Sequence, residues 1–274
     1  MSILKYQPRL LLRDFIELFW YRCGETPTTA DETKEAILPD GCAHLVINLS
    51  ENAVRLFERL DNDEVTTLSG SVFCGPRSSP YAILPAASAV IGILFRPGGA
   101  FPFLPMPAEE LRNIQLPVEH IFGMRAGELR DRLIAEKTAR RKFVLLEMFL
   151  LRHLRQPSSL HRAVSYAIRA FETDPTQNIT DVLMKIGLSE RRFSRVFSEQ
   201  VGLTPKQFHR VRRFQKTISS FPLGDGVDWA ETALNAGYYD QAHLIHEFRT
   251  FSFVTPGTFL ATRIVQRNHL PLPA

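Results

Sequence analysis

Apolar and polar positions follow different rhythms in the two halves of this chain. Between residues 36 and 96 the apolar residues come in short β-branched or aromatic runs: "AHLVINL" (43–49), "SVFCG" (71–75) and "AVIGILF" (89–95). Each lies next to turn residues, which predicts short strands. The opening "LLLRDFIELFWYR" predicts a strand or a short helix, and the polar "GETPTTADETKE" (24–35) a loop. "RPGGAFPFLPMP" (96–107) carries too much proline and glycine to continue a strand. From about residue 108 the period lengthens. "PAEELRNI", "AGELRDRLIAE" and "RRKFVLLEMFLLRHL" read as helices, and in the last Phe143, Leu146, Leu150 and Leu154 recur at helical spacing. That stripe covers the strand region or forms a seam between two copies of the chain.

"RQPSS" (155–159) breaks the helical pattern and marks a boundary. The expected architecture is α+β: a β-rich N-terminal domain, 1–155, with a helical end, and an all-α domain, 156–266. The second domain repeats itself. Gly187 and Gly237 are 50 residues apart, and Pro205 and Pro256 are 51 apart. An amphipathic helix precedes each glycine, "ITDVLMKI" (179–186) and "DWAETALNA" (228–236), and another follows it. Each unit therefore reads helix, glycine turn, helix, which is an αα-hairpin or a helix-turn-helix.

Exposed side chains decide between the two. In "GLSERRFSRVF" (187–197), Ser189 suits the N-cap of a helix over 190–200. Phe193, Val196 and Phe197 define its inner face. At about 100° per residue, Arg191, Arg195 and Ser198 point most nearly away, with Arg192 on the flank. A helix whose outer face is led by arginine suits a DNA major groove, where arginine binds guanine O6 and N7 or clamps phosphate. In the second unit, a helix over about 240–250 turns Leu244 and Phe248 inward and Ala242 and His246 outward. Tyr239 and His243 lie beside them, and Arg249 is read as a phosphate contact. Histidine is mostly neutral at pH 7, so this helix offers less charge. Between the units, "PKQFHRVRRFQKTISSF" (205–221) forms a connecting helix with Phe208, Val211, Ile218 and Phe221 on its apolar stripe. Arg212 is read as a phosphate contact on its other side.

Charge supports this division. The chain of 274 residues has a net charge of +4, and residues 158–274 hold 14 Lys+Arg against 10 Asp+Glu. The basic excess lies entirely in the helical domain, which is compatible with an anionic partner. No apolar run approaches a membrane span, and the N-terminus lacks the order of a secretion signal, so a cytoplasmic protein is expected. The three cysteines, Cys23, Cys42 and Cys74, read as buried free thiols. Cys42 and His44 beside Asp40 resemble metal ligands on paper, but "PDG" reads better as a turn opening a strand. "RPGG" lacks the surroundings of a phosphate loop. No nucleophile–base pair, metal cluster or dinucleotide fingerprint is legible, so neither a cofactor nor enzymatic activity is expected. Phe73, Tyr81 and Phe95 belong to the core or line a cavity.

At this point the helical domain resembles the DNA-binding domain of the AraC/XylS family of transcription regulators. The matching stretches are "GLSERRFSRVFSEQVGLTPKQFHRVRR" and "AGYYDQAHLIHEFRTFSFVTPGTF". The resemblance implies double-stranded DNA as partner, with base contacts on Arg191, Ser194 and Arg195 and on Gln241, Ala242, His243 and His246. His246 stands where the family usually has arginine, Ala242 where serine is common and Phe253 where glycine is usual. Phenylalanine resists a positive φ, so a reshaped turn is expected at Phe253. "LPDGCAHLVINL", "GPRSSP" and "GILFRPGGAFPFL" resemble a domain found ahead of such modules. That implies a cupin-like β-barrel that senses a small-molecule effector or dimerises, with RNA polymerase as a further partner of the family. The alternative is a small-molecule-binding or enzymatic cupin-like protein with an accessory helical domain.

Overall fold

In a computed structural model, described over residues 2–24, 34–51, 53–58, 65–68, 70–84, 89–155, 159–221, 227–262 and 268–272, the chain begins with strands β1 (Ser2–Tyr6) and β2 (Ile16–Cys23). Next come β3 (Glu35–Ile37), β4 (His44–Asn48), β5 (Val54–Phe57), β6 (Thr66–Leu68), β7 (Ser71–Cys74), β8 (Tyr81–Leu84) and β9 (Ala89–Phe95). "PAEELRNI" forms only a 3-10 turn, Ala108–Leu111, before β10 (Gln115–Pro117), because Pro107 and the β7 pairing limit it to a connector. Helices α1 (Glu119–Phe122), α2 (Arg125–Ala135) and α3 (Ala139–His153) follow. The polar stretch 24–35 ends in β3, and its residues 25–33 lie outside the described residues.

The strands form two antiparallel sheets and not a closed barrel. One has the order β1-β2-β9-β4-β7-β10. Its alternating side chains Phe19, Leu45, Phe73, Ile93 and Phe95 pack against Leu129, Leu133, Phe143, Leu146 and Leu150. The α3 stripe thus covers this sheet, and Phe73 and Phe95 are core residues with no exposed surface. The second sheet has the order β11-β3-β8-β5-β6, where β11 (His269–Pro271) comes from the far end of the chain.

The helical half runs α4 (Arg162–Thr173), α5 (Ile179–Met184), α6 (Glu190–Val201), α7 (Pro205–Ser220), α8 (Trp229–Asn235), α9 (Gln241–Ser252) and α10 (Pro256–Ala261). The expected boundary falls on residues 155–159, of which 156–158 lie outside the described residues, as do 263–266 at the expected end of the helical domain. The two halves share a core. Ala36, Phe57, Ala82 and Leu84 of the second sheet pack with Phe214, Ile218, Phe248 and Phe259. Leu270 and Leu272 join that cluster from the C-terminus. The β11 pairing adds backbone bonds, and Leu38 N–H donates to Asn268 O at 2.9 Å and Leu272 N–H to Lys34 O at 2.9 Å.

Leu270 is fully buried where sheet and helices meet. Leu270→Ala should cost about 2–5 kcal/mol, as large-to-small core changes do. Denaturant unfolding checks this, and a loss below about 0.5 kcal/mol would show that the C-terminal strand is incidental to the shared core.

Candidate nucleic-acid interface

Each helical unit is built by the same local devices. Gly187 and Gly237 turn the chain at φ 70° and 75°, a region costly for a residue with a Cβ. Ser189 and Asp240 then cap α6 and α9, accepting from the N–H of Arg192 and His243. From these caps to the prolines that open α7 and α10 the offset is constant at 51 residues. The one additional residue of the second unit lies in its turn. The units differ at the helix ends. α6 stops at Gly202 (φ 88°) and α9 at Phe253 (φ 67°, ψ −15°). The expected reshaping does not occur: Phe253 takes the left-handed cap, its N–H donating to Arg249 O at 3.0 Å and its side chain packed on the shared core. Packing over-determines a backbone state that costs of order 1–3 kcal/mol.

On α6 the side chains of Arg191, Arg192 and Arg195 are exposed, Ser194 is half-buried, and Phe193 and Phe197 are buried beneath them. Arg195 pairs loosely with Glu199 at 3.6 Å and keeps 70% of its side-chain surface. Ser198 departs from expectation. It is only 5% exposed, because the 3-10 turn Ala108–Leu111 of the N-terminal domain lies on that flank of α6. The approach is close at Gly202, where a Cβ would sit 2.7 Å from Pro76 and 3.0 Å from Ala108 O. Arg112 Nη1 donates to Gln207 at 3.3 Å beside it. Between turn and helix runs an open groove of about 1060 Å³, lined by Glu109 on one wall and by Arg191, Arg195 and Ser198 among others on the opposite wall.

On α9, Gln241, Ala242, His246 and Arg249 are exposed, as is Tyr239 in the turn, and His243 is half-buried. His243 Nδ1 accepts from Tyr239 N–H at 3.2 Å, a turn contact. Arg212 does not project outward as expected. Its side chain is 23% exposed and reaches Glu172 of α4 at 3.5 Å, close enough to Asp40 of the N-terminal domain for its charge to lower that carboxyl. In this arrangement it is not open to a phosphate.

The Asp40–Gly41–Cys42 turn meets the same region, against Phe208 and Val211 of α7. Asp40 accepts from the Cys42 N–H at 2.9 Å, and its other oxygen lies 3.0 Å from His44 Nε2. Burial pushes the Asp40 carboxyl up, but His44, the Cys42 N–H and Arg212 outweigh it and hold it below its usual range. Burial likewise lowers His44, but Asp40 prevails and raises it. His44 keeps 31% of its side-chain surface accessible. It lies on the face of the first sheet opposite the α1–α3 core. With it lie Trp20 and Val46, across from Ile37, Tyr81 and Ile83 of the second sheet, all part-exposed and in neither core cluster. Of the cysteines, Cys42 and Cys74 are buried and free, whereas Cys23 is exposed, contrary to expectation.

Several of these features had no sequence signal, among them the contact on the α6 flank and the return of the C-terminus. One had a weak signal. Glu247 is a carboxylate three residues beyond Leu244 on the inner face of α9.

These features define a two-unit helix-turn-helix protein with a β-rich N-terminal domain. Residues 183–262 match the family model of a helix-turn-helix domain and residues 4–117 that of a domain of unknown function, DUF6597. The C-terminal domain is a helix-turn-helix domain of the AraC type, preceded by an N-terminal domain. No curated protein matches the chain in sequence. Among solved structures it is similar to ToxT from Vibrio cholerae. A 1.65 Å structure of that protein is 10% identical and covers 95% of this chain and 98% of its own, with a TM-score of 0.48. Wild-type ToxT bound to an unsaturated fatty acid is 9% identical over 88% of this chain and 94% of its own, with a TM-score of 0.48. Among the described residues no helix is long and apolar enough to cross a membrane.

The Asp40–His44 pair should make stability pH-dependent. Above the ordinary histidine value of about 6.5, the folded chain retains a proton that the unfolded chain has released. The contribution of His44 is full below that value and is lost as pH rises through the raised folded value. Asp40 acts oppositely, its share being lost on acidification. The Tm advantage of wild type over His44→Gln should shrink as pH rises above about 6.5. A difference that stays constant on that rise would show that folding does not raise the His44 value.

Proposed function

We propose that the protein is a sequence-specific, double-stranded-DNA-binding transcription regulator. In this reading α6 and α9 are the reading helices, and the N-terminal domain receives a small-molecule effector. The observation that carries the proposal is the repeat itself: two capped helix-turn-helix units on one connecting helix, with three exposed arginines on the first half of α6. α7 has 16 residues and is about 24 Å long, a span suited to units in successive major grooves about 34 Å apart. Arg191 and Arg195 would address bases, with Ser194 beside them. Arg192 and Arg249 would address phosphate. Gln241, Ala242 and His246 would read more weakly in the second groove, with Tyr239 and His243 at its edge. Ser198 and Arg212 are left out of this assignment because of where they lie. The part-exposed residues between the two sheets, His44 and Tyr81 among apolar neighbours, supply the polar anchors and apolar walls that small-molecule sites use.

The proposal has a steric consequence. A helix with its side chains is about 10–12 Å across and the major groove is about 12 Å wide. A 3-10 turn packed on the flank of α6 cannot follow it into the groove. The first unit must part from Ala108–Leu111 to bind, and Glu109, facing the arginines, competes with phosphate for them. Among the described residues the reading face of α9 carries no such cover.

Selection of bound duplexes from a random pool gives the site, and fluorescence anisotropy then gives affinities. Arg195→Ala should cost about 1–3 kcal/mol on the selected site and relax preference at one position. Affinity should fall steeply with salt. Equal losses on all sequences would remove Arg195 from base readout, and absence of any salt-sensitive binding would refute the regulator reading. Glu109→Ala should raise affinity for the selected site by weakening the closed contact. Unchanged or lower affinity would mean that the contact does not compete with DNA.

A further inference from the structure

Both units pack on α7 through apolar contacts, and the second adds a buried ion cluster. In the first, Phe208 of α7 lies 5.7 Å from the Phe197 ring and 6.4 Å from the Phe171 ring, and the part-exposed pair Arg212–Glu172 stands beside it. In the second, Phe214 of α7 lies 5.2 Å from the Phe248 ring, and the ion cluster is added to that contact. Glu247, 6% exposed, accepts from Arg210 Nε at 3.0 Å, from Arg210 Nη2 at 2.5 Å and from Arg213 Nη2 at 3.3 Å. Arg213 also donates from Nη1 to the carbonyl of the turn glycine, Gly237, at 3.1 Å, and its guanidinium lies 4.5 Å from the centre of the Tyr238 ring. Tyr238 belongs to the longer turn of the second unit and is 3% exposed, whereas Tyr239 beside it is 86% exposed. Arg210 and Arg213 stand one helical turn apart on α7, so a single carboxylate on α9 is held from two directions.

The repeat identifies what is unusual. At the 51-residue offset shared by the helix caps, the counterpart of Glu247 in α6 is Val196, which packs on the apolar core of its unit. Apolar contacts are non-directional and tolerate rotation of one helix on another. Buried ion clusters contribute little net stability, but their geometry fixes registry and orientation. Burial raises the Glu247 carboxyl, and the hydrogen bond and charge of Arg210 with the charge of Arg213 outweigh it, leaving the group ionised.

We infer that Glu247 is a positioning residue that, through Arg210 and Arg213, fixes the second reading helix relative to the first and so sets the half-site separation the protein accepts. The inference rests on the DNA-binding reading above. Glu247 touches no DNA in this scheme. It governs how far apart two bound sequences lie, not what they are.

The test is selection of bound duplexes from a random pool by full-length wild type, by Glu247→Gln and by the all-apolar variant Arg210→Met/Arg213→Met/Glu247→Met. The last removes every charge of the cluster and keeps the experiment decisive if the single change prevents folding. Thermal melting establishes which variants are folded. Wild type should yield two half-motifs at one separation. The variants should yield the same half-motifs at separations spread over neighbouring values. Changing the separation by one base pair moves a half-site by about 3.4 Å and rotates it by about 35°. This should weaken wild type at least about tenfold and the variants by far less. Folded variants that keep a single separation and bind only more weakly would overturn the inference, since a merely structural Glu247 predicts that result. A wild type that selects a single half-motif would also overturn it. One that selects no motif would refute the DNA-binding reading itself.

Discussion

Helix α7 is committed on nearly every side, and this constrains the rest of the molecule. Phe208 closes the core of the first unit, while Phe214 and Ile218 lie in the cluster formed by the second sheet, α9, α10 and the C-terminal strand. Arg210 and Arg213 hold Glu247. Gln215 Nε2, within a 4% exposed side chain, donates to Pro39 O at 2.8 Å and lies 3.2 Å from Asn268 Oδ1. Arg212 reaches Glu172. A connecting rod would need only two contact faces. This one also carries the N-terminal domain, through the Asp40–Cys42 turn against Phe208 and Val211 and through the second sheet against Phe214 and Ile218.

Much of the helical half was legible in the sequence because its signals are local. Caps at Ser189, Thr204, Asp240 and Thr255 each need only the next three residues, and the glycine turns need only their own φ. The outward arginines follow from helical period alone. Ser198 did not follow, because its burial is imposed by a segment 90 residues away that no periodicity encodes. Arg212 failed for the same reason. The angle was read correctly as away from the apolar stripe, but that direction leads to Glu172 of α4 and not into solvent.

The β half was less legible. The runs of β4, β7 and β9 were found and the opening segment was left between strand and helix, but β3, β5, β6 and β10 are three or four residues long and rest on pairing more than on pattern. The return of residues 269–271 to the second sheet had no signal at all. "HLP" is an unremarkable tripeptide until β3 lies beside it. Phe253 shows the converse error. The rule that phenylalanine avoids positive φ is sound, but the shared core holds the side chain and the backbone follows.

The asymmetry of the two units follows from these contacts. The first carries the arginines, and its helix α6 is flanked by Glu109. The second has a weakly charged helix, an open face and an ionic anchor. Under the regulator reading, a duplex approaching the closed arrangement meets an α9 face that is uncovered among the described residues but gains little charge there. In the same reading the groove beside α6 offers more charge, but only after the 3-10 turn has moved. Electrostatic attraction by Arg191, Arg192 and Arg195 must then exceed both the pull of Glu109 and the apolar closure at Gly202, Pro76 and Ala108.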